Sequence, residues 1–379
     1  MEFSEIIGQN HIKKHLQYSA EQGRIPHAQL FIAPEGVGAL EMAIAYAQFV
    51  INLHTESDEK RKANSLKFTK VQHPDLHFSF PFYGNKETIL SDTYRDQWNE
   101  FITQYPYGSM KDWMKLVDVK NQQLIIPRRE ADNIAKKLSL KAYEGGYKVM
   151  IIWMADKMNP EANNTLLKLL EEPPHKTLFL LIAENEKEIL PTIYSRCQVI
   201  HFNPLSDKDI ATALMEKHQL SEDEAMTIAK TAQGNYNKAI KIAENEEDDD
   251  LPFDKWFVQW MRAAYLAKKD PSQLVNLTKW GDELSLIGRE NQKLFLKHCI
   301  EVIRQAFLYN YNVKNLVYYK SKEEGFLLSN FAKFVNDKNI NDFYRELNDS
   351  IYHIERNGNP KIIFSNLSIK LTRFLHKGL

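Results

Sequence analysis

Dense apolar runs punctuate the first 205 residues. Ala28-Gln-Leu-Phe-Ile32, Val149-Met-Ile-Ile-Trp153, Leu178-Phe-Leu-Leu-Ile182 and Val199-Ile-His-Phe202 are short and almost wholly apolar. Such runs suit central strands of a parallel sheet, covered on both faces. Leu76-His-Phe-Ser-Phe80 alternates, as a strand with one wetter face would. Between the runs the spacing is helical. Met42 to Val50 predicts a buried helix. Another opens at Asn159, a good N-cap, followed by Pro160 at the first helical position. Its Leu166, Leu169 and Leu170 share a face, and Pro173-Pro174 ends it. Five strands separated by helices predict an α/β fold with a doubly wound, five-stranded parallel sheet.

The pattern changes twice further along. Residues 80–120 are crowded with aromatics (Phe80, Phe82, Tyr94, Trp98, Phe101 and Trp113 among them) and begin with little periodicity, which predicts an insertion packed onto the sheet domain. From Asp207 to about Glu244 the spacing is helical throughout. The acidic run Glu244-Asn-Glu-Glu-Asp-Asp-Asp250 contains no apolar residue and is expected to be a solvated linker. Residues 251–379 are again helical. There Trp256, Trp260, Phe295 and Phe374 stand at amphipathic positions, as core residues rather than a stacking platform for bases. Three domains follow: residues 1–205, 206–247 and 251–379.

Charge sharpens this division. Residues 1–250 carry 29 Lys+Arg against 37 Asp+Glu, and residues 251–379 carry 20 against 13. The C-terminal third is mildly basic, well short of an isolated nucleic-acid-binding domain, so any DNA contact is expected to be shared with partners. Cys197 and Cys299 form no CxxC pair, which argues against a cysteine zinc site or a disulfide framework and suits a reducing compartment. The N-terminus lacks the pattern of a secretory signal, and no apolar run approaches the roughly 20 residues that span a bilayer. No membrane contact and a cytoplasmic location are expected.

The turn after the first strand carries the candidate chemistry. A phosphate-binding loop of the form G-x-x-x-x-G-K-[ST] cradles phosphates with its amides, neutralises them with Lys and holds magnesium with a hydroxyl. Here the matching stretch is Ala33-Pro-Glu-Gly-Val-Gly-Ala-Leu40. Gly38 keeps the second glycine and Gly36 stands near it, but Ala33 replaces the first glycine, Ala39 the Lys and Leu40 the hydroxyl residue. By itself Gly36-Val-Gly38 is also an ordinary strand-to-helix turn. A second loss falls after Val149–Ile152, where an ATPase of this type places Asp and Glu for magnesium and water. Trp153 and Met154 stand there. Asp156 comes too late in the chain to replace them and is expected at the surface or as a cap. Phosphates would meet few compensating charges in such a site, so a dead nucleotide site is expected.

The most specific segment is Asn163-Asn-Thr-Leu-Leu-Lys-Leu-Leu-Glu-Glu-Pro-Pro174, followed by Thr177–Leu181 and Leu190-Pro-Thr-Ile-Tyr-Ser-Arg-Cys197. This order resembles the bacterial clamp-loader branch of the AAA+ proteins. Ile7-Gly-Gln9, Arg24-Ile-Pro-His-Ala28, His73-Pro-Asp75 and Arg356-Asn-Gly-Asn359 extend the resemblance over most of the chain, with residues 80–120 least covered. The missing loop Lys and strand-end carboxylates are similar to the delta-prime type, not to the hydrolysing gamma or tau type. Many relatives carry a four-cysteine zinc module after the first helix. This chain has His54 and His73 but no cysteine in 48–80, so no metal is expected.

The resemblance implies a AAA+ core, a small helical lid and a helical collar that assembles with partner subunits (gamma/tau and delta). It implies help in opening the sliding clamp and placing it on primed DNA, with no cofactor in this chain and ATP and magnesium in the partners. It also implies that Arg196, the Arg of the Ser-Arg-Cys motif, reaches a neighbour's γ-phosphate as an arginine finger; by residue type alone, Arg196 also suits a surface ion pair. Asn237 stands where relatives place a phosphate-sensing Arg, Lys238 is one position off, and Glu184 stands at a polar sensor position. His27 and Cys197 are expected to be packing residues, and Lys168 suits either solvent or nucleic acid. Two other readings remain: an active AAA+ ATPase with a divergent pocket, which hydrolysis by the pure chain would reveal, and a stand-alone DNA-binding protein, which tight, salt-sensitive DNA binding would reveal.

Overall fold

A computed structural model describes residues 2–53, 55, 57–84, 88–119, 122–143, 146–244, 252–313, 316–319, 321 and 323–377. His54 and all of the acidic run except Glu244 lie outside the described residues. The chain divides into two compact units, one of residues 1–119 with 124–246, the other of 247–379 with 120–123.

The first unit runs α1 (Asn10–Glu21), β1 (Ala28–Ile32), α2 (Ala39–Leu53), α3 (Asp58–Thr69), β2 (Leu76–Ser79), α4 (Arg95–Gln104), α5 (Met110–Leu116), α6 (Arg128–Ser139), β3 (Lys148–Ile152), α7 (Pro160–Glu171), β4 (Thr177–Ala183), α8 (Pro191–Tyr194), β5 (Gln198–His201), α9 (Asp207–His218), α10 (Glu222–Ala232) and α11 (Tyr236–Ala243). The five strands form one parallel sheet in the order β2-β3-β4-β1-β5. Every residue of the central strands β1, β3 and β4 is buried, while the edge strands β2 and β5 are only partly so. That is the solution the unbroken apolar runs require, because helices cover both faces.

Alternate side chains divide cleanly between two cores. Phe31, Val149, Ile151, Leu178, Leu180 and Ile182 enter the core that includes α1, α2, the aromatics of 80–116 and the helices α9–α11. Leu30, Met150, Ile152, Phe179 and Leu181 enter the opposite core, beneath α6, α7 and α8. Helix α7 begins as its sequence predicts: the Asn159 side chain accepts from the Ala162 amide at 2.8 Å, a cap contributing about 1 kcal/mol.

The aromatic stretch covers the sheet as a stacked cluster. Trp98 lies 4.0 Å from Phe80 and 5.3 Å from Trp113 between ring centroids, and Trp153 at the end of β3 packs against Trp98 and Phe101. The second unit is helical: α12 (Phe253–Leu266), α13 (Gln273–Leu286), α14 (Arg289–Asn310), α15 (Leu328–Ala332), α16 (Ile340–Glu355) and α17 (Pro360–Phe374). Trp260 stacks on Trp280 at 4.3 Å and Phe295 is fully buried, with Trp256 and Phe374 partly buried against the same core, so all four aromatics are packing residues. Among the described residues no helix is long and apolar enough to cross a membrane.

Candidate functional site: a filled phosphate loop and an outward arginine

Strand β1 delivers the chain at the C-terminal rim of the sheet, the rim on which open α/β sheets bind ligands. Ala33 continues the ladder by donating to the Ala183 carbonyl at 2.9 Å. The turn Pro34–Gly38 then folds back into α2. Gly36 (φ +74°) and Gly38 (φ +84°) hold left-handed conformations that glycine adopts at low cost.

The space above the turn is occupied by the chain itself. A Cβ on Gly36 would fall 1.9 Å from Asn235 Oδ1, and one on Gly38 would fall 2.7 Å from the Tyr107 ring. Tyr107 is fixed there. Its hydroxyl accepts from the Ile7 amide at 2.9 Å, and its ring meets Tyr236 edge-on at 5.0 Å. Ala39 and Leu40, at the Lys and hydroxyl positions of the motif, are buried in the apolar core. The remaining cavity, lined by Gly36–Glu41, Tyr107, Trp153, Met154 and Glu184, measures about 30 Å3. That is far short of the roughly 300–1,000 Å3 of pockets for small-molecule ligands. The residues present therefore do not match the donor set or the room of a magnesium–nucleotide site.

Glu41, in the first turn of α2, is a buried acidic side chain lining this cavity. Burial pushes its carboxyl up to about 8, against weaker opposing effects from its own backbone and Lys217. Burial, with Glu41 beside it, also raises the Tyr107 hydroxyl.

At the end of β3, Met154 turns the chain through a left-handed conformation (φ 55°), and both Trp153 and Met154 are buried. Of the two places expected for Asp156, the surface or a cap, the surface one is corrected: it is buried, with its side chain only 1% exposed. The Met154 turn folds it beneath the end of β4, where it accepts from the Glu184 amide at 3.3 Å and pairs with Lys157 at 2.8 Å. It does not line the loop cavity. Glu184 does, with its side chain exposed.

Helices α9–α11 close over the turn. Gly36 accepts from the Tyr236 amide at 2.9 Å, and Asn235 Nδ2 donates to Glu35 at 3.1 Å. Asn237, at the sensor position, is buried and donates to Asp112 Oδ2 at 2.8 Å, while Lys241 Nζ reaches Asp112 Oδ1 at 2.5 Å. Burial by itself would raise the Asp112 carboxyl, but Lys241 and Ser109 outweigh it and hold it below its ordinary value. Lys238 is exposed on the other side of α11.

Arg196 lies elsewhere. Because β1 and β5 are parallel, with Gln29 opposite Gln198, the turn before β5 sits at the N-terminal rim of the sheet. The length of β1, ~13 Å at 3.3 Å per residue, separates it from the phosphate loop. The side chain is 35% exposed, with Nη1 donating to Thr192 O at 2.9 Å and Nη2 meeting Glu171 at 2.5 Å. Glu171 is the first Glu of the Leu-Leu-Glu-Glu-Pro-Pro segment, so α7 and the Ser-Arg-Cys turn meet through this pair. Neighbouring Cys197 packs against the lower core, and burial pushes its thiol up to about 12, far from a nucleophile. His27 bonds the Leu170 carbonyl at 3.0 Å, and Lys168 is exposed. Buried His73 stacks on Phe68 at 4.9 Å, and among the described residues no three His, Cys, Asp or Glu gather as a metal site.

Residues 8–206, more than half of the chain, match the family model described as DNA polymerase III, delta subunit. The chain belongs to this clamp-loader delta-prime family. It is 28% identical over 240 residues to DNA polymerase III subunit delta' of Bacillus subtilis, covering 63% of this chain and 60% of that one. It is also 28% identical over 160 residues to subunit delta' of Escherichia coli, covering 42% and 43%. The tau subunit of B. subtilis is similar too, 27% identical over 245 residues, covering 63% and 37%. The chain thus spans less than two thirds of the length of each of these relatives.

Within this delta-prime frame, sequence reasoning singled out the loop positions but missed what fills them. Tyr107, Asp112, Asn235 and Glu41 come from four separate segments. Only Ser109-x-x-Asp112 carried a signal, that of a capping box, and both of its reciprocal bonds are present.

Proposed function

We propose that this chain is a non-hydrolysing AAA+ subunit of a DNA polymerase III clamp loader. In this reading it works with gamma/tau and delta partners to open the sliding clamp and set it on primed DNA. ATP and magnesium act in the partners, and this chain holds none of its own. The observation that carries the reading is the phosphate loop, closed by Tyr107 and Asn235 to about 30 Å3, with Ala39 and Leu40 at the motif's Lys and hydroxyl positions and Trp153 and Met154 where the carboxylates after β3 would stand. A AAA+ motor opens and closes its lid around nucleotide. The bonds from Gly36, Glu35 and Asp112 to α11 make that ligand unnecessary here, which supports a fixed platform.

Arg196 would serve a neighbour's site. A guanidinium at the opposite rim from its own loop cannot act there, but it can meet charge developing on a phosphoryl group bound by an adjacent subunit. Its bond to Glu171 is an exposed pair, worth about 0–1 kcal/mol, and is readily exchanged for phosphate. Apolar side chains exposed on the second unit, Ile362 and Ile369 on α17 and Leu286 at the end of α13, suit subunit assembly.

The test is a magnesium–ATP titration of the pure protein by calorimetry, with hydrolysis assayed in the same samples. Neither heat nor turnover is expected. Tight binding with turnover would make the chain a motor subunit, and tight salt-sensitive binding of DNA by the chain alone would make it an independent DNA-binding protein.

A further inference from the structure

Strand β2 is an edge of the sheet, and its outer side is open. Val149 donates to the Asp75 carbonyl and Trp153 to that of Ser79, both at 2.9 Å. By the alternation of a parallel ladder, His77 and Ser79 face β3, and the N–H and C=O of Phe78 face outward. Among the described residues nothing bonds to either outward group of Phe78.

A cavity of about 450 Å3 runs along this edge. Phe78 and Trp98 give it an apolar floor, with ring centroids 5.9 Å apart. Its charged lining is two cations, Arg95 and Lys137, against one carboxylate, Asp92. Lys137 and Asn133 already satisfy Asp92, at 2.7 and 3.1 Å. Arg95 helps to hold the Asp92 carboxyl below its ordinary value, but among the described residues it makes neither a hydrogen bond nor an ion pair within 4 Å, so its exposed guanidinium can still meet a second carboxylate. It is the first residue of α4, where the helix dipole favours anions over cations. His77 adds no charge near neutral pH, since burial and Lys137 push its ring down to about 4.

We propose that this edge accepts an extended, acidic segment of a partner protein as a sixth strand. The partner's main chain pairs with the outward groups of Phe78, and a carboxylate side chain meets Arg95. Strand addition draws affinity from main-chain bonds and specificity from flanking pockets. The excess of cations argues for an acidic partner and against a second copy of β2, because like charges would oppose each other across such a pair.

The test uses the full chain and a fluorescein-labelled ten-residue peptide in which glutamate alternates with valine and threonine, beside a counterpart with lysine for glutamate. Saturable binding of the glutamate peptide alone is expected, weakened by salt and lowered by at least about tenfold in Arg95→Glu. Hydrogen exchange at the amide of Phe78 should slow on binding while those of His77 and Ser79 stay unchanged. Arg95→Gln, expected to act in the same direction, serves if the charge reversal unfolds the protein. Four results would each overturn the proposal: no binding at millimolar peptide, equal binding of both peptides, protection at another segment, or self-association that protects Phe78.

Discussion

Two turns of the same sheet have opposite fates. The turn after β1, Pro34–Gly38, is capped by Tyr107, Asn235 and Trp153 and left about 30 Å3 of free space. The turn before β5 leaves Arg196 partly exposed, its side chain tied among the described residues to Glu171 and the Thr192 carbonyl. The strands are neighbours, yet the turns lie at opposite rims because the sheet is parallel. The comparison separates two proposed roles in space: the closed turn, where the chain's own nucleotide would sit, and the open turn, from which Arg196 is proposed to reach a neighbour. The two turns share no side-chain contacts, so a change at one is not expected to disturb the other.

The largest effect should come from the open turn. If Arg196 acts in trans, Arg196→Ala in a reconstituted loader lowers clamp-stimulated ATP turnover by the partners by about 10³-fold or more. Single-turnover hydrolysis would measure it, and turnover within a few-fold of the unmodified loader would remove the proposed role. The closed turn should respond in stability instead. Tyr107→Ala opens a cavity over Gly38 and is expected to destabilise the protein by about 3–5 kcal/mol in urea unfolding. Adding Ala39→Lys to that variant should still yield no heat with magnesium–ATP, because Trp153 and Met154 supply no carboxylate.

A smaller, pH-dependent effect belongs to Glu41. Its folded-state carboxyl is raised from 4.5 to about 8 by burial. The native state thus holds a proton that the unfolded chain releases across this window, so this group's contribution is full below about pH 4.5 and is lost as pH rises through 8. Glu41→Gln removes that loss. Thermal melts should show the variant gaining on the parent between pH 5 and pH 8.5, by an amount on the order of a few kcal/mol. A constant difference across that range would count against the assignment. The smallest effect is the stability of the Arg196→Ala chain by itself, which should change by less than about 1 kcal/mol because the Glu171 pair is exposed. A larger loss would mark Arg196 as a structural residue.

Much of the frame was legible in the residues. Runs such as Val149–Ile152 and Leu178–Ile182 contain too few polar positions to face water, so they could only be central strands. Asn159-Pro160 and Pro173-Pro174 bracket α7 because capping and proline sterics act within a few residues. The missing Lys and hydroxyl at Ala39 and Leu40 were equally plain. Local chemistry suffices for such readings. It did not suffice for Asp156, whose burial depends on how the Met154 turn meets the end of β4. Nor could it find Tyr107 above Gly38, Asn237 and Lys241 on Asp112, or the outward groups of Phe78 beside Arg95. Those partners lie from 17 to 129 residues apart in the chain. They meet only after the hydrophobic effect has packed the sheet and its helices, because burial is non-directional and sequence spacing alone does not say which polar group will face which.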